Sequence, residues 1–440
     1  MKILRTVSVI VFLVIMQGCA SYGVVSNQEK ESAEKPDNLP IEPKNNTENN
    51  ITIALAFSGG GSRAAAMSYA ILEALDKHKL PGTSGSLLDE VDTISSVSGG
   101  SITAAYYGLY GKKIFQNFRR DVLEVNHEKS ILDRVKSLTH LSSNQGRSEK
   151  AVEYFDESIF HGQKIGQYQT GSDVRIVISA SDLGGGARLS FTPEYFSLLC
   201  SDVANFSVAR AVVASTAVPL IFSPIVIQNF DSCGKRPPKW LKRAKHRLRN
   251  DPEMSLVIEK LESFSHKADR KYIHLVDGGI TDNLGLRALY ETTELAGGAK
   301  ALMQKAHHEQ KRPNKILVIV VDASTTPRRM MDQSLEEPSI AESISAITDI
   351  QLHRYNAATL KLFESKLIEW SQELSEPDDP VESYMVKVQL HNIRNSSELE
   401  YFNSIPTSLN LSPEQSDKLI NITEQLLKQN RIYQRFINSL

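Results

Sequence analysis

The sequence predicts an α/β fold, and two observations carry that prediction. Three runs rich in apolar and β-branched residues, 51–57, 91–97 and 272–276, read as buried strands. Each breaks off into small residues: Ser58-Gly59-Gly60-Gly61-Ser62, Ser98-Gly99-Gly100-Ser101 and Asp277-Gly278-Gly279. The first two clusters run directly into helix-like stretches, so strand, tight turn and helix follow one another as an α/β protein requires.

The N-terminus stands apart from this pattern. Lys2 and Arg5 precede an apolar run over 7–16 and then Gln17-Gly18-Cys19. The run is too short to span a membrane and has the layout of an export signal. Its end resembles a bacterial lipoprotein signal, which implies that residues 1–18 are removed, that Cys19 is the lipid anchor, and that the protein is exported. Alanine at position 20 favours the outer membrane within that reading. Ordinary secretion with cleavage elsewhere stays open. From 19 to 50 the chain is rich in Glu, Lys, Asn and Pro, so it is expected to be a flexible tether that buries too little surface to order itself.

Ser98 is the candidate nucleophile. A serine on a sharp strand-to-helix turn holds a strained backbone and needs small neighbours so that the helix can pass close to the strand. Gly99 and Gly100 follow it, and Ser96 stands where the usual pattern has its first glycine. Gly59, Gly60 and Gly61 open the helix predicted over 62–80, where unshielded backbone N–H groups suit an oxyanion. Asp277, at a strand end and followed by two glycines, suits a general base facing a nucleophile.

The order G-G-G-x-R, S-x-S-x-G and D-G-G, each after a predicted strand, resembles the patatin-like phospholipase family over roughly 51–286. Ala209 to Pro219 adds a match to the family's A-S-x-A-x-P segment. The resemblance implies a three-layer α/β/α sandwich with a mainly parallel central sheet, and a lipid acyl hydrolase of phospholipase A type with a Ser98/Asp277 dyad and no cofactor or metal. It further implies an oxyanion turn at Gly59, Gly60 and Gly61, supported by Arg63 and the Gly99 amide. The partners it implies are membrane lipids, as substrate and as anchoring surface.

Further strands are predicted over 174–180, 225–227, 315–321 and 384–390, with Gly184-Gly185-Gly186 as a hairpin turn. Asp322 reads as a strand-end cap. The catalytic domain is expected over 51–330, and a mainly helical extension packed on it over 331–440. A basic insertion spans about 229–270. Within it Trp240, Lys242, Arg243, Arg247 and Arg249 suggest a membrane-contacting flap at the mouth of the site, against a plain solvated basic surface. Cys200 and Cys233 either pair or remain two thiols.

Two other readings stay open. A Ser/Asp/His esterase would draw on His353 or His391 after Asp322. A non-catalytic lipid-binding or assembly lipoprotein would keep the fold alone. A phosphate-binding loop lacks its Gly-Lys-Ser/Thr continuation. The composition, 41% hydrophobic and 23% charged with a formal charge of −2, supports an ordinary core and gives no sign of nucleic-acid binding.

Overall fold

A computed structural model describes residues 23–30, 36, 38–39, 51–82, 84–136, 146–170, 174–219, 221–306, 312–327, 329–333 and 335–440. Cys19 and the expected signal lie outside these residues. Among the described residues there are ten strands: β1 (Gln28–Glu29), β2 (Ile51–Phe57), β3 (Val91–Val97), β4 (Arg175–Asp182), β5 (Arg188–Ser190), β6 (Ser201–Asp202), β7 (Ile225–Gln228), β8 (Tyr272–Val276), β9 (Lys315–Asp322) and β10 (Glu382–Gln389). The helices used below are α1 (Gly61–Lys77), α2 (Gly99–Tyr110), α3 (His127–Lys136), α4 (Arg147–Phe155), α5 (Val208–Thr216), α6 (Lys239–Arg247), α7 (Pro252–Ser263), α8 (Gly279–Asp282), α9 (Leu286–Ala296), α10 (Ile340–Leu374) and α11 (Pro413–Gln429).

Eight strands form one sheet in the order β10-β9-β2-β3-β4-β8-β7, with β5 paired to β4. The five strands from β10 to β4 are parallel, whereas β5, β8 and β7 run antiparallel to their neighbours. Two helical layers cover it: α1 packs on α2 and α11, while α9 packs on α10 and α6. This is the three-layer α/β/α sandwich expected from the sequence.

Register explains why the turns meet. Phe57 pairs with Ser96 on one side and Val321 on the other, and Val97 pairs with Ser179. The turns at Ser58, Ser98 and Asp322 therefore leave the same edge of the sheet. Both central helices are buried along most of their length, from Gly61 to Leu75 and from Gly99 to Gly108. Their small residues, Ala64 to Ala66 and Ala104-Ala105, let them sit close against the strands they follow.

Three expectations change. The C-terminal region is more than a packed extension, because β10 forms the sheet's edge beside β9 and the chain over 405–409 crosses the Gly61 turn. Residues 23–30 are docked rather than a leash: β1 pairs with β6, and Asn27 exchanges hydrogen bonds with the Gln228 backbone at 2.8 and 2.9 Å. The basic insertion holds two helices, α6 and α7, and its aromatic anchor faces inward, since Trp240 is only 4% exposed and belongs to the buried core with Leu39 and Leu261. Cys200 and Cys233 are paired, with Cα atoms 5.4 Å apart.

Candidate active site

β3 delivers Ser98 to its turn with φ +50, in the left-handed region that non-glycine residues rarely occupy. This strain is held by neighbours on all sides. The Ser98 N–H donates to Ser215 Oγ at 2.8 Å, and the Ser215 hydroxyl donates onward to the Ser179 carbonyl at 2.7 Å. Gly99 has no room for a side chain, because a Cβ there would lie 1.9 Å from the Gly61 carbonyl oxygen. The Ser98 turn and the triple-glycine turn are thus in direct backbone contact.

Asp277 arrives from the opposite direction, at the end of the antiparallel β8. Its Oδ2 accepts from Ser98 Oγ at 2.8 Å and its Oδ1 from the Gly279 N–H at 2.7 Å. Burial pushes its pKa up to about 6, against the opposing pull of the Gly279 and Ser98 hydrogen bonds. The same segment that clamps Ser98 also clamps this loop: Gly278 N–H donates to the Ser215 carbonyl at 3.1 Å and Asp277 N–H to the Ala217 carbonyl at 2.9 Å. The stretch 215–217 is therefore the physical bridge between the Ser98 turn and the Asp277 loop.

The amides of the glycine turn differ in their hydrogen bonds. Gly59 N–H is taken by the Asn283 carbonyl at 2.9 Å, so this amide is not available to an oxyanion and its expected role is withdrawn. The Gly60, Gly61 and Gly99 amides have no partner among the described residues, as the geometry of a helix N-terminus requires. Arg63 does not face the site. It is buried, and its guanidinium donates to the Ala323 carbonyl at 2.7 Å, the Ile405 carbonyl at 2.5 Å and Thr407 Oγ1 at 3.1 Å. Desolvation lowers its pKa to about 10, which leaves it charged at neutral pH. It staples the 405–407 chain over the turn rather than meeting a substrate.

Ser98 opens into a cavity of about 140 Å³. Its walls are mainly apolar, from Ile131, Leu132 and Val135 of α3, Val218, Ile221 and Phe222, and Leu409. Neither α3 nor the 405–409 chain carried a functional signal in the sequence, since a cavity wall is written in ordinary apolar residues. Ser215 and Asn283 were missed as well, although both lie in the segments that carried the motif match.

The expected membrane-contact residues do not line this cavity. Trp240 is core, and Arg247 donates to the Glu294 carbonyl at 2.5 Å. Lys242 and Arg243 are exposed on α6 and Arg249 is exposed just beyond its end, and none of the three lines the cavity. No histidine lines the cavity among the described residues. His353 Nε2 pairs with the Thr325 carbonyl, and Asp322 accepts from Gln389 and the Ser324 N–H, so the esterase triad drawn from them is not assembled.

The family model described as "Patatin-like phospholipase" matches residues 55–290. Among solved structures, human GIVD cytosolic phospholipase A2 is 11% identical, with a TM-score of 0.45, over 88% of this chain and 62% of that chain. VipD from Legionella pneumophila is 12% identical, with a TM-score of 0.27, over 90% of this chain and 71% of that chain. The chain thus spans less than two thirds of the length of the human enzyme. No curated protein matches the sequence.

Proposed function

Since the chain belongs to the patatin-like phospholipase family, we propose that it is a lipid acyl hydrolase of phospholipase A type working through a Ser98/Asp277 dyad. The observation that carries this reading is the 2.8 Å hydrogen bond from Ser98 Oγ to Asp277 Oδ2, with Ser98 lining a mainly apolar cavity. Asp277 takes the Ser98 proton as Oγ attacks the ester carbonyl, and the amides of Gly60, Gly61 and Gly99 are the donors at hand for the oxyanion. As the tetrahedral intermediate collapses, the departing alkoxide receives that proton from Asp277. Water then enters, loses a proton to the same carboxylate, and frees the fatty acid and Ser98. A base that works without histidine needs a raised pKa, which its burial supplies.

The proposal includes the anchor: Cys19 is acylated and holds the protein on a bacterial membrane, the outer membrane favoured. The test is fatty-acid release from phosphatidylethanolamine and phosphatidylglycerol vesicles by the wild type, Ser98→Ala and Asp277→Asn. Release abolished by both substitutions supports the dyad. Absence of release by the wild type, from vesicles and from soluble short-chain esters alike, moves the reading to a non-catalytic lipid-binding lipoprotein.

A further inference from the structure

The Ser98 cavity opens through apolar residues that are left in water. Leu132 is 43% exposed, Val218 37% and Ile221 57%, and all three line this opening. Single exposed apolar residues are ordinary, but a group of them around the mouth of an apolar cavity marks a contact surface. Arg147 stands at the same rim, its guanidinium donating to the Ile221 carbonyl at 3.2 Å.

An independent observation concerns where the N-terminal chain enters the fold. The Val24 carbonyl accepts from Arg210 Nη1 at 3.5 Å, and Arg210 forms a two-pronged ion pair with Glu149 at 2.6 and 2.8 Å. Glu149 is two residues from Arg147, and between them Ser148 donates to the Ser223 carbonyl, one residue beyond Phe222 of the rim. Gly23 lies against Val226, with no space for a Cβ. The chain thus enters beside the mouth. Cys19 is only four residues ahead of Gly23, a distance of at most about 14 Å even when fully extended.

From these two observations we propose that the rim at Leu132, Val218 and Ile221 is the face that sits in a phospholipid bilayer, and that the docked segment 23–30 turns it there. The inference rests on the lipid-hydrolase reading and on acylation of Cys19, and it replaces a long leash with a short strap. Substrate acyl chains would pass from the bilayer past the rim to Ser98 without crossing water. Apolar rim residues in the headgroup and acyl boundary gain what they lose by exposure to water.

The test uses the full chain carrying Ser98→Ala, so that vesicles stay intact. Single tryptophans are placed by Ile221→Trp, Leu132→Trp or, as a remote control, Leu256→Trp on α7, itself 53% exposed. Trp240 and Trp370 are buried and give a constant background. With phosphatidylethanolamine and phosphatidylglycerol vesicles bearing brominated acyl chains, quenching at 221 and 132 should be at least twice that at 256. Equal quenching at all three positions, or none at 221 and 132, overturns the proposal. Asn27→Ala, or ten Gly/Ser residues inserted between Cys19 and Gly23, should lower quenching at 221 by at least half, and unchanged quenching overturns the strap. Because no arm depends on turnover, failure of wild-type fatty-acid release would be seen separately, as failure of the hydrolase reading.

Discussion

Ser98 Oγ lies 2.8 Å from Asp277 Oδ2 across 179 positions of sequence, and the two residues reach that distance on strands that run in opposite senses. The parallel β3 carries the serine to the C-terminal end of the central strands, and the antiparallel β8 ends level with it, where Gly278 packs on the Ser179 carbonyl. Gly278 is forced by that approach: a Cβ there would sit 2.3 Å from the carbonyl oxygen.

The raised pKa of Asp277 sets a pH profile. In the proposed dyad only the carboxylate accepts the Ser98 proton, so kcat/KM should fall about tenfold per pH unit below about 6 and level off above it. Stability should show the opposite sign. With a folded pKa of about 6 against an ordinary 3.8, the ionised form costs roughly 3 kcal/mol, fully present above pH 6 and absent below 3.8. Asp277→Asn should therefore be inactive yet more stable than wild type at pH 8, by up to ~3 kcal/mol, and equal to it near pH 3.5. Denaturant titrations at the two pH values measure this.

In the proposed mechanism Ser215 acts as a positioning residue. Ser215→Ala leaves the buried Ser98 N–H without its acceptor, so kcat should drop by roughly 10- to 100-fold with KM little changed. Ser215→Thr keeps the hydroxyl and should recover most of the rate. A kcat within twofold of wild type in the alanine variant would remove the role.

Two glycines are fixed by backbone contact. Gly99→Ala drives a methyl into the Gly61 carbonyl, and Gly61→Ala meets the Ser408 carbonyl oxygen at 2.2 Å with φ at +60. Each should cost more than ~2 kcal/mol and eliminate turnover. Gly184→Ala meets only Asp182 Oδ1 at 3.8 Å and should change stability by less than about 0.5 kcal/mol. Thermal unfolding of the three variants separates these cases.

Reduction of the Cys200–Cys233 disulfide, whose ends are 33 residues apart, should cost about 4 kcal/mol by loss of the loop constraint on the unfolded chain. It should also loosen the N-terminal segment, because the Lys30 N–H donates to the Cys200 carbonyl at 2.9 Å. Hydrogen exchange at residues 28–30 with and without reductant reads that coupling.

By itself the sequence determined the strand-turn-helix units and which residues stand at their ends. Period and composition are local, so β2, β3 and β8 and the glycines of Ser98 and Asp277 were legible at their true positions. Edge strand β10 was legible too, as a late apolar run. Contacts between distant segments were not. Whether Trp240 faces lipid or core depends on which surface α6 turns inward, and a basic, aromatic helix reads the same either way. Arg63 followed the glycine turn in sequence and was expected at the oxyanion, yet its guanidinium satisfies carbonyls of the 323 and 405 chains. The Gly59 amide was lost to Asn283 for the same reason: hydrogen-bond partners are assigned by the folded neighbourhood. Only tertiary structure decided these points, along with the docking of residues 23–30 and the cavity walls from α3 and 405–409. Each is a pairing of surfaces far apart in the chain, and no local pattern encodes which surface will meet which.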